Sequence, residues 1–122
     1  MPNLTLPLSP GNNKMWRRYR NRVVLLDEYV SFKRSVHTLA LLHGVCEPLQ
    51  GPVSVSIAYH PKAREKESDR PLKRMDVDAH IKPVGDALIG IAYLDDYQVV
   101  SIRCDLADPV QDGKLVVMWE AA

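Results

Sequence analysis

Five charged side chains in one stretch carry the chemistry this sequence can offer. Asp76 and Asp78 stand two residues apart, Lys82 follows four residues after Asp78, and Asp95-Asp96 comes after an apolar segment. In extended backbone, carboxylates two apart point to one face, about 7 Å apart along the chain. Both can then reach one divalent ion or two neighbouring ions, and Asp95 or Asp96 can complete the set from the next element. Gathered without a cation, three carboxylates would repel until one took up a proton. A divalent ion reverses that penalty, and magnesium takes a few protein carboxylates while keeping water in the rest of its octahedron. Such a site polarises a phosphoryl oxygen, readies a water for in-line attack and stabilises the leaving alkoxide. Lys82 adds a point charge for the phosphate or for the attacking water.

Basic segments would deliver the phosphodiester. Net charge is only +1, but the average hides a segregation. Between Lys14 and Arg22 there are five basic residues and no acidic one, with Lys14, Arg17, Arg18 and Arg20 interleaved with Trp16 and Tyr19. Between Lys62 and Arg74 there are six basic residues against three acidic, and Arg70, Lys73 and Arg74 empty directly into Asp76. Local patches, not net charge, set the field a polyanion meets. Guanidinium groups grip phosphates bidentately, and aromatic faces stack on exposed bases.

The elements that must position these groups can be traced in order. Leu4 and Leu6 suggest a short extended entry, Pro10 to Asn13 a turn, and Lys14 to Arg22 a solvated loop. From Asp27 to about His43, Tyr29, Val30, Val36, Leu39, Ala40 and Leu42 recur at helical spacing, with Gly44 as the stop. Val53, Val55, Ile57 and Tyr59 alternate with small or polar residues as a half-buried strand that His60 ends. His60 to Arg74 is a long charged loop. Pro83 lacks an N–H, so the next helix is expected to begin within about a turn before it, near Asp78 to Ile81, or to kink there, and to run to Gly90. Asp78, Lys82 and Asp86 are spaced i, i+4, i+8, which one helical face can carry. Val99 to Cys104 reads as a strand, buried on both sides or alternating, and Leu115 to Trp119 closes the fold. The prediction is one α+β domain over residues 1–122, a mixed sheet against two main helices. Cys46 and Cys104 are expected as two buried free thiols, and His37 and His43 as surface groups. No membrane span or secretory leader is evident, so a cytoplasmic protein is expected.

Taken together, these residues resemble the RusA family of Holliday-junction resolvases. Its pattern is D-x-D-N-x-x-K-x-x-x-D-A-L, then a spacer and D-D-x-Q-V. Here the sequence reads DVDAHIKPVGDAL and, further on, DDYQV, so that Asp76, Asp78, Lys82, Asp86, Ala87, Leu88, Asp95, Asp96, Gln98 and Val99 fall in place. Leu6-Pro7, Pro10 and Asn12-Asn13 resemble the family's opening motif. The resemblance implies a magnesium- or manganese-dependent endonuclease that acts as a homodimer on branched DNA, in recombination and repair. It matches Asp76, Asp78 and Asp96 to the family's metal-binding carboxylates, Lys82 to its catalytic lysine, and Asp95 to the acidic neighbour. Asn12, Asn13, Lys14, Arg17, Arg18, Arg20, Arg70, Lys73 and Arg74 are the expected DNA contacts. Two departures stand in the central motif: Ala79 replaces the family asparagine, and His80, expected to be exposed, replaces an apolar residue. Loss of that amide weakens support for the ligands, which leaves a junction-binding protein of the same fold, weakened in cleavage, as the alternative.

Overall fold

The computed structural model describes residues 2–11, 16–19, 22–25, 27–45, 47–63 and 75–122, with 16–19 and 22–25 described as backbone. The strand β4 (Val53–His60) is central, because Val53, Val55, Ile57 and Tyr59 are buried while the residues between them are half-exposed. That is the period of a sheet with one covered face. β6 (Lys114–Ala121) pairs with it antiparallel on one side, and β5 (Val99–Leu106) pairs with it parallel on the other. β1 (Asn3–Leu6) lies outside β6, giving the order β1-β6-β4-β5. The result is the expected α+β fold with a mixed sheet.

A parallel pair cannot be joined by a hairpin; it needs a long crossover. Residues 61–98 make that crossover, and both acidic pairs ride on it. A 3-10 turn at Val77–His80 runs into α2 (Ile81–Ala87), and a second at Asp96–Gln98 leads into β5. Pro83 is the third residue of α2, a position whose N–H would have no partner within the helix.

α1 (Asp27–Leu42) buries Tyr29, Phe32, Val36 and Ala40 on one face and packs on α2 and β1. Asp27 and Glu28 set negative charge in its first turn, where the helix dipole favours it. It ends where Gly44 takes a φ of +70° and the Val45 N–H donates to the Ala40 carbonyl at 3.0 Å. Phe32, Val36 and Ala40 share one core with Leu4, Leu6, Val55, Ile57, Val84, Leu88, Val117 and Trp119. Each buried Val, Leu, Ile or Phe side chain stabilises the fold by about 1.5–3 kcal/mol, so burial of this face ties both helices to the sheet.

Several expectations need correction. Trp16–Tyr19 and Arg22–Leu25 are not a loop but an antiparallel pair, β2 and β3, in register Arg17↔Val24. The run Arg22-Val-Val-Leu is rich in residues that favour strands. β5 is neither buried on both sides nor cleanly alternating. It forms the sheet edge, with Val100 63% exposed. Cys104 is accordingly half-buried, with a free thiol, and Cys46 lies outside the described residues. α2 ends at Ala87, short of Gly90, which takes a φ of +88° in a tight turn and donates to the Tyr93 carbonyl. His37 and His43 are exposed as expected, and His60 ends β4 with Nδ1 donating to the Asp108 carbonyl at 2.8 Å. Among the described residues, no helix is long and apolar enough to cross a membrane.

Candidate active site

Asp76 is extended, with φ −63° and ψ 149°, whereas Asp78 already lies inside the first 3-10 turn. The extended geometry expected for the pair is therefore broken at its second member. Both are exposed. The turn packs against β5, and the Asp78 carboxylate lies within electrostatic reach of Cys104. Burial first, then the charges of Asp105 and Asp78, push that thiol up to about 11.

One turn further on, Lys82 Nζ donates to Asp86 Oδ1 at 3.1 Å. The other oxygen, Asp86 Oδ2, accepts from the hydroxyl of buried Tyr29 at 2.5 Å. The helical spacing thus places Lys82 and Asp86 together, while Asp78 belongs to the preceding turn. Lys82, Asp86, Tyr93 and Asp96 line one small cleft, whose apolar wall is Ile81, Val99 and Ile102. Tyr93 Oη donates to the Gly85 carbonyl at 2.6 Å. Burial, followed by the Asp86 and Asp96 carboxylates, holds the Tyr93 phenol well above its usual range, so it remains a donor.

The second acidic pair divides its labour. Asp95 is the N-cap of its 3-10 turn, accepting from the Tyr97 N–H at 3.1 Å. Gln98 completes a capping box and is buried. Its Oε1 accepts from the N–H groups of Leu94 and Asp95, both at 3.0 Å. Its Nε2 donates to the Leu49 and Gly51 carbonyls, both at 2.9 Å. This network pins the turn to the segment before β4 and leaves Asp96 exposed on the cleft wall.

His80 is not exposed; it is fully buried. In a 3-10 turn residues three apart eclipse, so His80 follows Val77, which packs against the core. Its ring lies 4.2 Å from that of Tyr59, and Nδ1 is hydrogen-bonded to Ser9 Oγ at 2.7 Å. Ser9 Oγ also accepts from the Gly11 N–H at 3.2 Å. Burial lowers the imidazole to about 4, and Nε2 makes no hydrogen bond among the described residues. Sequence reasoning missed this anchor, and it missed the roles of Tyr29, Tyr93 and Gln98. Only Gln98 carried a signal, as the box partner three residues after Asp95.

Asp76, Asp78 and Asp96 offer carboxylate oxygens, and among the described residues none of the three carboxylates accepts a hydrogen bond or joins an ion pair. Those donors fit a hard divalent ion that keeps most of its water and takes one or two carboxylates. They do not form a closed cage: among the described residues, no group of three or more His, Cys, Asp or Glu could hold a metal ion. Asn12, Asn13, Lys14, Arg20, Arg70, Lys73 and Arg74 lie outside the described residues, and Arg17 and Arg18 are placed only as backbone in β2.

Comparison with curated proteins finds no match. The family model described as Endodeoxyribonuclease RusA matches residues 7–118 of the 122 in the chain, a span that includes the whole crossover and both acidic pairs. The chain therefore belongs to the RusA family of endodeoxyribonucleases, the Holliday-junction resolvases.

Proposed function

We propose that this protein resolves four-way DNA junctions by magnesium- or manganese-dependent hydrolysis, acting as a homodimer that nicks two opposed strands. The observation that carries the reading is the cleft beside β5, where Lys82 and Asp96 share one wall system and Asp78 stands one turn before Lys82. Asp76, Asp78 and Asp96 are the carboxylates from which the ion would draw one or two ligands, and when bound it would supply a polarised phosphoryl oxygen and an activated water. The Lys82 ammonium meets the non-bridging phosphate oxygens and neutralises charge as it builds in the transition state. Ile81, Val99 and Ile102 give that side of the cleft an apolar lining, which strengthens the electrostatics beside it. Basic residues of the 14–22 and 62–74 segments grip the DNA backbone and give no sequence readout by themselves. A junction has two-fold symmetry, and a symmetric dimer presents two equivalent sites.

The test is Asp78→Asn on a labelled four-way junction, with magnesium and manganese titrated. Junction binding is expected to persist while nicking disappears. Cleavage at the parental rate would remove Asp78 from the catalytic set. The competing reading, a binder that no longer cuts, rests on Ala79. That residue is buried and offers no side-chain amide where the family has asparagine. Retention of the junction by the parental protein, without products at any metal concentration, would establish the competing reading.

A further inference from the structure

We infer that Tyr29 and Asp86 are a positioning pair that holds the Lys82 ammonium where the reaction needs it; the inference rests on the catalytic reading of Lys82. A lysine carries a point charge on a long flexible stem, and the Lys82 side chain is 59% exposed. Left alone, such a group samples many positions, and rate is sensitive to the placement of a catalytic charge. An exposed i, i+4 ion pair does little by itself to fix it. Here the pair is braced from behind. Asp86 lies one turn after Lys82 with its side chain only 20% exposed. Oδ1 takes the ammonium at 3.1 Å, and Oδ2 takes the Tyr29 hydroxyl at 2.5 Å.

Tyr29 comes from α1, is 1% exposed and is locked in the core. Burial, then the hydrogen bond and charge of Asp86, push its phenol far above the usual value, so it stays a donor and the carboxylate stays oriented. On the opposite side Tyr93 fixes the α2 backbone through Gly85, the residue before Asp86. Two buried hydroxyls from separate elements thus set the frame for one exposed amine on the cleft that Asp96 also lines. A tyrosine that merely joined α1 to α2 would need no lysine at the far end of the chain of contacts.

The experiment uses the full chain and four variants: Tyr29→Phe, Asp86→Asn, Lys82→Ala and Tyr29→Phe combined with Lys82→Ala. Single-turnover nicking of a four-way junction is measured with enzyme in excess, beside junction Kd and the melting temperature. In parallel, acylation of Lys82 by an N-hydroxysuccinimide ester is followed by mass spectrometry, a readout independent of cleavage. Tyr29→Phe should slow nicking about tenfold with Kd unchanged. It should have no further effect once Lys82 is alanine. Acylation of Lys82 should rise about two- to fivefold in both Tyr29→Phe and Asp86→Asn as the amine loses its anchor. Asp86→Asn still accepts from Tyr29, so a rise there isolates the lost charge from any lost packing. The inference is overturned if acylation is unchanged in both variants. It is equally overturned if Tyr29→Phe slows nicking by the same factor with and without Lys82. If Lys82→Ala nicks at the parental rate, the catalytic reading of Lys82 fails instead, and acylation still reports whether the pair holds the amine.

Discussion

Asp95-Asp96 sits on a turn held by a dense set of hydrogen bonds. The Gln98 side chain alone makes four hydrogen bonds, two into the turn and two across to Leu49 and Gly51. Asp76 and Asp78 belong to a segment whose buried polar anchor is an imidazole, His80, with one bond to Ser9 and one buried nitrogen left without a partner among the described residues. The two anchors differ in chemistry as well as number. An amide does not titrate, whereas an imidazole gains a proton in mild acid. Within the second pair there is a further division, because Asp95 spends an oxygen on the Tyr97 N–H while Asp96 presents its carboxylate to the cleft. Adjacent identical residues can therefore hold opposite offices, one building the turn and one facing the cleft.

The sharpest way to break this comparison is to neutralise each aspartate of the second pair without changing its shape. Asp96→Asn should lower nicking by about 10²–10³-fold, the scale of losing one strong electrostatic contribution to the transition state. Asp95→Asn should leave nicking within severalfold of the parent, because asparagine caps a turn as well as aspartate. Single-turnover rates on a labelled junction decide it. Equal losses in the two variants would make the Asp95 charge catalytic and end the division of labour.

Why the sequence disclosed some of this and not the rest follows from what each residue answers to. The β4 alternation and the α1 face at Tyr29, Val36 and Ala40 were legible because burial repeats with the period of the element. Asp86 was visible as a helical neighbour of Lys82, since four residues of helix bring the two together whatever surrounds them. Tyr29 as the brace behind Asp86 was not visible. That contact spans two helices, and no local period encodes it. His80 was misjudged as exposed because polarity suggested the surface, while the 3-10 geometry turned it inward beneath Tyr59. The hairpin of β2 and β3 was hidden by its charges: arginines at 17, 18 and 22 advertise solvent, yet the backbone pairs through Val23 and Val24. The edge position of β5 was likewise inaccessible, for it depends on the strand order and not on the composition of Val99 to Leu106.

The next largest effect concerns the imidazole anchor. His80 titrates near 6.5 when unfolded and near 4 when folded, because burial disfavours its charged form. The folded-state value is depressed, so the unfolded chain binds the extra proton first. Stability contributed at neutral pH is lost as pH falls from about 6.5 to 4, on the order of 3 kcal/mol in all. Urea unfolding at pH 7 and pH 4.5 should show the loss in the parent and a clearly smaller one in His80→Leu. The difference between the two chains isolates this group from the carboxylates, which also contribute in acid. Parallel pH dependence in parent and variant would mean that His80 is already accessible to protons in the fold. The contrast with Gln98 would then lose its basis.

The smallest effect tests whether Asp95 is the builder its geometry suggests. Asp95→Ala removes the acceptor for the Tyr97 N–H but leaves the backbone N–H groups of Leu94 and Asp95 bonded to Gln98. Loss of an N-cap costs about 1 kcal/mol, and that is the expected drop in unfolding free energy. The Gln98 bonds should keep the turn from collapsing outright. Asp95→Asn supplies the control, since it should restore most of the difference. A stability unchanged in the alanine variant would show that Gln98 holds the turn without help. The Asp95 carboxylate would then be available to the reaction, and the two aspartates would have to be treated as one acidic unit after all.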